Sequence, residues 1–104
     1  MSLDHQKSFK ALADPTRREI LQHLSERDMT IGELVGEFPM TRAAVKKHLI
    51  VLEEGALISV HINGRERVNR LEPEGFRHVS QWINYFDQFW DKHLSALQDA
   101  INNQ

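Results

Sequence analysis

Cysteine is absent from the sequence, which excludes disulfide bridges and thiolate metal sites. No apolar run approaches the roughly 20 residues that a membrane span requires. The first residues show no signal-peptide pattern, so the expected location is the cytoplasm, with no membrane partner. There is no Gly-rich phosphate loop, no Ser-His-Asp grouping and no paired-carboxylate constellation. An enzyme is therefore not expected, and no cofactor is called for. Proline is scarce: Pro15, Pro39 and Pro73 are the only copies, and each falls at a break between helical patterns. The ring fixes φ and removes an N–H donor, so it cannot sit inside a helix without cost. An excess of positive charge is missing too. Thirteen Lys or Arg against fifteen Asp or Glu leave −2, which by itself does not suggest a nucleic-acid partner.

The charge is unevenly placed, however. Between Thr41 and Leu71, six basic residues (Arg42, Lys46, Lys47, Arg65, Arg67, Arg70) oppose Glu53, Glu54 and Glu66. That stretch carries +3 and the remainder −5. Whole-chain charge bears on solubility, whereas a local basic face bears on the partner. The length of 104 residues suggests one domain over 1–104.

The basic stretch overlaps the segment that organises the chain, Thr30–Gly55. Thr30 followed by Glu33 reads as a capping box. Ile31, Leu34, Val35 and Phe38 give a short apolar helical stripe that Pro39 ends. Thr41 caps a second helix whose Ala44, Val45, His48, Leu49 and Leu52 recur at helical spacing and are expected to face inward. Gly55 ends it. No acidic residue occurs between Thr41 and Leu52, and Ala43 and Ala44 allow close approach by another surface. A short helix, a tight turn and a cationic second helix form a helix-turn-helix. The bland alternative is an ordinary solvated basic face.

Residues 57–62 then alternate as a strand, Asn63-Gly64 signals a hairpin, and residues 65–71 return. A hairpin directly after a recognition helix is a wing, with Asn63, Gly64, Arg65 and Arg67 near its tip. Upstream, residues 2–13 read as a first helix with Leu3, Phe9, Leu12 and Ala13 as apolar positions. Asp14 and Pro15 open a second helix, which runs to about Glu26. Arg17 is a candidate phosphate contact, and Arg18 is expected to pair with Asp14 or Glu19. Arg27-Asp28-Met29 is a connection. Pro73 opens a last helix to about Ile101, with Glu72 or Glu74 favouring its N-terminus. Val79, Trp82, Ile83, Phe86, Phe89, Trp90, Leu94 and Leu97 cover more of that helix than a small monomer can hide, so a dimer is expected. The expected fold is mainly α with a β-hairpin wing: a winged helix-turn-helix of five helices and two antiparallel strands.

The stretches 9–21, containing Asp14-Pro15-Thr16-Arg17, and 40–54, containing Val45-x-x-His48-Leu49-x-x-Leu52, resemble ArsR-type winged-helix repressors. The resemblance covers nearly the whole chain. It implies a homodimeric cytoplasmic repressor that pairs through its first and last helices, about 2–13 and 73–101. Phe9, Trp82, Phe86, Phe89, Trp90 and Leu97 would lie in that interface. Many members of the family sense metals, and here the sequence departs: residues 31–37 carry no cysteine motif. Asp91-x-His93 resembles half of a second metal site whose other half is missing. His5, His23, His48, His61, His78 and His93 are scattered, with no histidine pair at i+3 or i+4. No metal site is expected. The aromatic last helix resembles the non-metal branch that includes autorepressors.

The leading expectation is thus a sequence-specific DNA-binding repressor acting as a homodimer on an inverted-repeat operator in double-stranded DNA. Its DNA-binding residues are Thr41, Arg42, Ala43, Lys46 and Lys47 on the helix and Asn63, Arg65 and Arg67 on the wing. The alternatives are a metal-responsive repressor and a winged-helix module that binds protein without DNA. The sequence is compatible with a small-molecule or protein inducer and identifies none.

Overall fold

The computed structural model describes residues 3–103, with side chains from His5 onward. Ser2, where the first helix was expected to begin, and the side chain of Leu3 lie outside the described residues. The element order is α1 (Leu3–Leu12), α2 (Pro15–Glu26), β1 (Met29–Thr30), α3 (Ile31–Val35), α4 (Arg42–Glu54), β2 (Ile58–Asn63), β3 (Glu66–Leu71) and α5 (Pro73–Asn102). The five helices agree with expectation. The sheet has one strand more than expected, in the order β1-β3-β2. Met29 pairs with Asn69 and Thr30 with Val68. The connection before the helix-turn-helix is therefore partly strand, because the outer edge of β3 offers free backbone groups. The buried Asn69 amide adds a bond from Nδ2 to the Met29 carbonyl at 3.1 Å.

The core is one cluster that includes Ile20 and Leu24 of α2, Leu34 of α3, Val45, Leu49 and Leu52 of α4, and Leu57 and Ile58 leading into the hairpin. The hairpin turn lies one residue later than the sequence suggested. Asn63 pairs with Glu66, so Gly64 and Arg65 form the loop. Gly64 has φ 65, which suits the first position of a II′-type turn. Arg65 is consequently one of the two turn residues, exposed at the wing tip.

Gly55 does not end α4 by a left-handed turn; its φ is −81, and Ala56 takes φ 57 instead. Gly55 is needed for space. A Cβ there would stand 2.8 Å from the Lys7 carbonyl oxygen of α1. Ser8 Oγ donates to the Gly55 carbonyl at 2.7 Å. Gly75, in the first turn of α5, donates its N–H to the Ala56 carbonyl at 2.8 Å, and a Cβ on Gly75 would lie 2.6 Å from that same oxygen. Helices α1, α4 and α5 thus converge backbone to backbone, and α5 leaves from that point. Gly75→Ala should lower the unfolding free energy by about 1–3 kcal/mol, the usual cost of overpacking. The check is a lower urea midpoint at unchanged slope; an unchanged midpoint would mean that α5 shifts freely.

At its start α5 has no side-chain cap bond from Glu72; only Glu74 lies in its acidic first turn. The stripe that buries Gly75 and half-buries Phe76, Val79 and Phe86 then runs on through Phe89, Trp90, His93 and Leu97. Every described residue from Asp87 to Asn103 is exposed. The radius of gyration is 18.4 Å, against about 13 Å for a compact domain of this length. The second half of α5 accounts for the difference.

Candidate nucleic-acid interface

Both helices of the helix-turn-helix are capped as the sequence dictates. Thr30 Oγ1 accepts from the Glu33 N–H at 3.2 Å, and Glu33 Oε1 accepts from the Thr30 N–H at 3.0 Å. The Thr30 N–H, then the guanidinium of Arg27, hold the Glu33 carboxyl below the usual range. Helix α3 stops at Val35, earlier than Pro39 requires. Gly36 caps it, and the Glu37 N–H bonds to the Leu34 carbonyl at 3.0 Å. Phe38 lies beyond the helix, buried against the His23 ring. A tight turn there satisfies the last carbonyls and still places the fourth apolar residue in the core. Thr41 Oγ1 accepts from the Ala44 N–H at 3.1 Å, which leaves the hydroxyl hydrogen to face a partner.

Val45, Leu49 and Leu52 set the buried side of α4. At 3.6 residues per turn the remaining positions sort themselves around it. Ala43, Lys47 and Ile50 face directly away from the core. Arg42 and Lys46 lie on the flank toward the hairpin. Ala44 and His48 lie on the opposite flank, half-buried. Ile50 was missed by sequence reasoning. It is 46% exposed, and the available signal was a large apolar residue outside the core phase.

A groove of about 370 Å³ separates α4 from the hairpin, lined by Arg42, Lys46, Ile50, Val60 and Arg67 among others. A neighbouring depression of about 340 Å³ joins Arg42 to Arg65 and Arg67. Arg42 and Arg67 line both hollows, Lys46 joins them in the groove beside Glu53, and Arg65 joins them in the depression beside Glu66. Lys47 and Ala43 crown the helix beside it, and Asn63 is exposed at the hairpin end.

Three other basic residues are engaged elsewhere. Arg70 Nε donates to Asp28 Oδ2 at 2.9 Å, across to the loop before β1. Arg18, expected in an ion pair, donates to the Leu12 carbonyl at 2.7 Å. Arg17, a candidate phosphate contact, donates to the carbonyls of Ala11 and Lys10 at 2.8 and 2.9 Å and reaches His48 Nδ1 at 3.4 Å. The end of α1 presents orphan carbonyls, and these two guanidiniums satisfy them. His48 correspondingly lies in a polar cluster and not among the core side chains. Asp14 Oδ2 accepts from the Arg17 N–H at 3.0 Å. That backbone bond, then the charge of Arg17, hold the Asp14 carboxyl below its usual range, while burial opposes the shift.

Phe9 of α1 and Trp82 of α5 meet edge to face at 5.6 Å, and Trp82 and Phe86 of α5 do so at 4.8 Å. Phe89, Trp90 and Leu97 are exposed beyond them. Asp91 and His93 lie on this exposed part, where the His93 ring rests on Phe89 at 4.1 Å. Among the described residues no cluster of three or more potential metal ligands forms. No helix among them is long and apolar enough to cross a membrane.

This architecture is shared with known proteins. A helix-turn-helix domain family model matches residues 12–61. A helix-turn-helix-type transcriptional regulator of Mycobacterium tuberculosis is 33% identical over 98 residues, 94% of this chain and 89% of that protein. The transcriptional repressor SdpR of Bacillus subtilis is 40% identical over 94 residues, 90% of this chain and 81% of that protein. The crystal structure of an ArsR family transcriptional regulator superposes with a TM-score of 0.76 at 36% identity, covering 85% of this chain and 91% of that one. The chain belongs to the ArsR-type winged helix-turn-helix regulators. In an ArsR-type regulator, α3 and α4 are the helix-turn-helix, and β2–β3 is the wing. The resemblance seen in residues 9–21 and 40–54 is thereby confirmed at the level of family and fold. The family is one of transcriptional regulators, a class that does not consist of enzymes.

Proposed function

We propose that this ArsR-type chain is a sequence-specific repressor that binds an inverted-repeat operator as a homodimer in the cytoplasm. The observation that carries the proposal is the pair of adjoining hollows between α4 and the wing, which Arg42 and Arg67 share, with Lys46 in one and Arg65 in the other. A phosphate strand entering it would meet helix cations on one wall and wing cations on the other, while Ala43, Lys47 and Ile50 approach base edges in the major groove. The single domain over 1–104 would pair through α1 and α5. Support for pairing is the apolar stripe of α5 that continues past the domain with nothing beneath it. A second copy related by a two-fold axis would cover that stripe with its own, as closed symmetry favours.

Selection of bound duplexes from a genomic library tests the reading. The expected product is an inverted repeat with half-sites about one helical turn apart. Recovery of random sequences, with no binding to duplex DNA at moderate salt, would favour the protein-interaction alternative.

Operator affinity should be indifferent to chelators and to added zinc. The chain has no cysteine, and Asp91 with His93 supplies only part of a ligand set. A large zinc-induced loss of binding that disappears in His93→Ala would overturn this.

A further inference from the structure

The two stretches that carry the family resemblance meet in space. His48, halfway along the recognition helix, faces Arg17 and Asp14 at the start of α2. Arg17 in turn sits on the last carbonyls of α1. Arginine has five N–H donors and no acceptor, and it does not lose its proton. A hydrogen bond from Arg17 Nη1 to His48 Nδ1, 3.4 Å away, forms in the tautomer whose Nδ1 carries no proton. In that tautomer the ring proton is on Nε2. Asp14 Oδ2 stands 3.9 Å from the same Nδ1, beyond a direct hydrogen bond, and is already occupied by the Arg17 N–H.

We propose that Arg17 and His48 are positioning residues for DNA reading: the Arg17 guanidinium, seated on the C-terminal carbonyls of α1, holds His48 Nδ1 and so sets the recognition helix against the dimerising helix. The proposal rests on the dimeric DNA-binding reading above. Its physical basis is the planar fork of arginine. One face of the fork satisfies two carbonyls while the remaining nitrogen reaches the imidazole, in a geometry that a lysine ammonium cannot reproduce. Without the contact, the buried stripe of Val45, Leu49 and Leu52 still keeps α4 in the core. Its rotation and tilt relative to the two-fold axis lose one restraint. Specific reading depends on that angle, since both helices must enter their grooves together. Non-specific attachment is mainly charge neutralisation and tolerates the change.

The test uses the full-length protein in three forms beside the wild type. His48→Asn keeps an acceptor near the Nδ1 position, His48→Leu removes it, and Arg17→Lys keeps the charge without the fork. Operator and random duplex affinities are measured for each. Long-range ¹H–¹⁵N correlation of the wild-type imidazole at neutral pH, without DNA, reads the tautomer. Expected are a bare Nδ1 and a protonated Nε2 for His48. Operator affinity should fall about tenfold in His48→Leu and Arg17→Lys, the scale of one coupling contact. Random-duplex affinity should stay within about twofold in the same two variants, because their Lys and Arg phosphate contacts remain. His48→Asn should recover most of the operator affinity. A protonated Nδ1 would overturn the contact. Undiminished operator binding by His48→Leu, or equal loss on operator and random DNA, would overturn the positioning role. If His48→Leu does not fold, the comparison of Arg17→Lys with His48→Asn decides. Failure of the wild type to bind any duplex would refute the DNA-binding reading itself, and it is told apart because the imidazole signal is read without DNA.

Discussion

Phe89→Glu should yield a monomer in solution and weaken operator binding by about a hundredfold or more. The size follows from linkage: two half-site contacts joined in one particle gain roughly 10²–10⁴ over either alone. Phe89 suits the test because it is exposed and its ring contacts are with Trp90 and His93 of its own helix. The domain core does not need it, so helicity and the urea midpoint of the monomeric domain should survive. A carboxylate there would be buried against the partner's apolar stripe, and an unpaired buried charge is strongly unfavourable. Sedimentation equilibrium at micromolar concentration gives the answer. A dimeric mass with unaltered operator affinity would show that the stripe of α5 is not the interface.

Arg42→Ala and Arg65→Ala should fail in different ways. Arg42 follows the Thr41 cap directly, at the helix end proposed to approach base edges. Arginine reading guanine by two hydrogen bonds supplies roughly 1–3 kcal/mol of discrimination. Its loss should relax preference at one operator position in each half-site. Arg65 is a turn residue of the wing, which the proposed reading sets against phosphates. Each neutralised phosphate contributes about −0.9 to the slope of log K against log salt. Arg65→Ala should therefore weaken all sequences alike and reduce the slope by about two per dimer. Both variants must first be shown to be folded dimers. Equal loss on operator and random DNA for Arg42→Ala would remove it as a reader. An unchanged slope for Arg65→Ala would mean that the wing does not engage the backbone.

Much of the local structure was legible because it rests on short-range chemistry. The caps at Thr30, Asp14 and Thr41 each need only a side-chain oxygen two or three residues before a free N–H. The hairpin announced itself through Gly64, yet its register was one residue off. An Asn-Gly pair allows two turn placements, and pairing along β3 chose between them. Strand β1 was invisible because two residues carry no periodicity. Its partner, Asn69, is forty residues away.

Charge was the least legible property. Arg17, Arg18 and Arg70 look in the sequence like Arg42 and Arg65. Only the fold shows that the first three are held by carbonyls of α1 and by Asp28, while the others line the depression between α4 and the wing. A guanidinium on a long flexible stem takes whichever acceptor the chain brings near, and sequence spacing does not say which. His48 was assigned inward from helical phase, and the phase was nearly right. It marks the boundary of the core, where a polar ring finds Arg17 and Asp14.

By itself the sequence determined the five helices, the N-terminal caps at Asp14, Thr30 and Thr41, the wing, the absence of a cysteine metal site and the apolar excess of the last helix. These follow from backbone sterics, capping and hydrophobic period, all of which act within a few residues. The tertiary structure alone decided which cations share a surface, why Gly55 and Gly75 must lack a side chain, and how far the stripe of α5 outruns its own domain. Those depend on distances between segments remote in the chain, and only packing sets such distances.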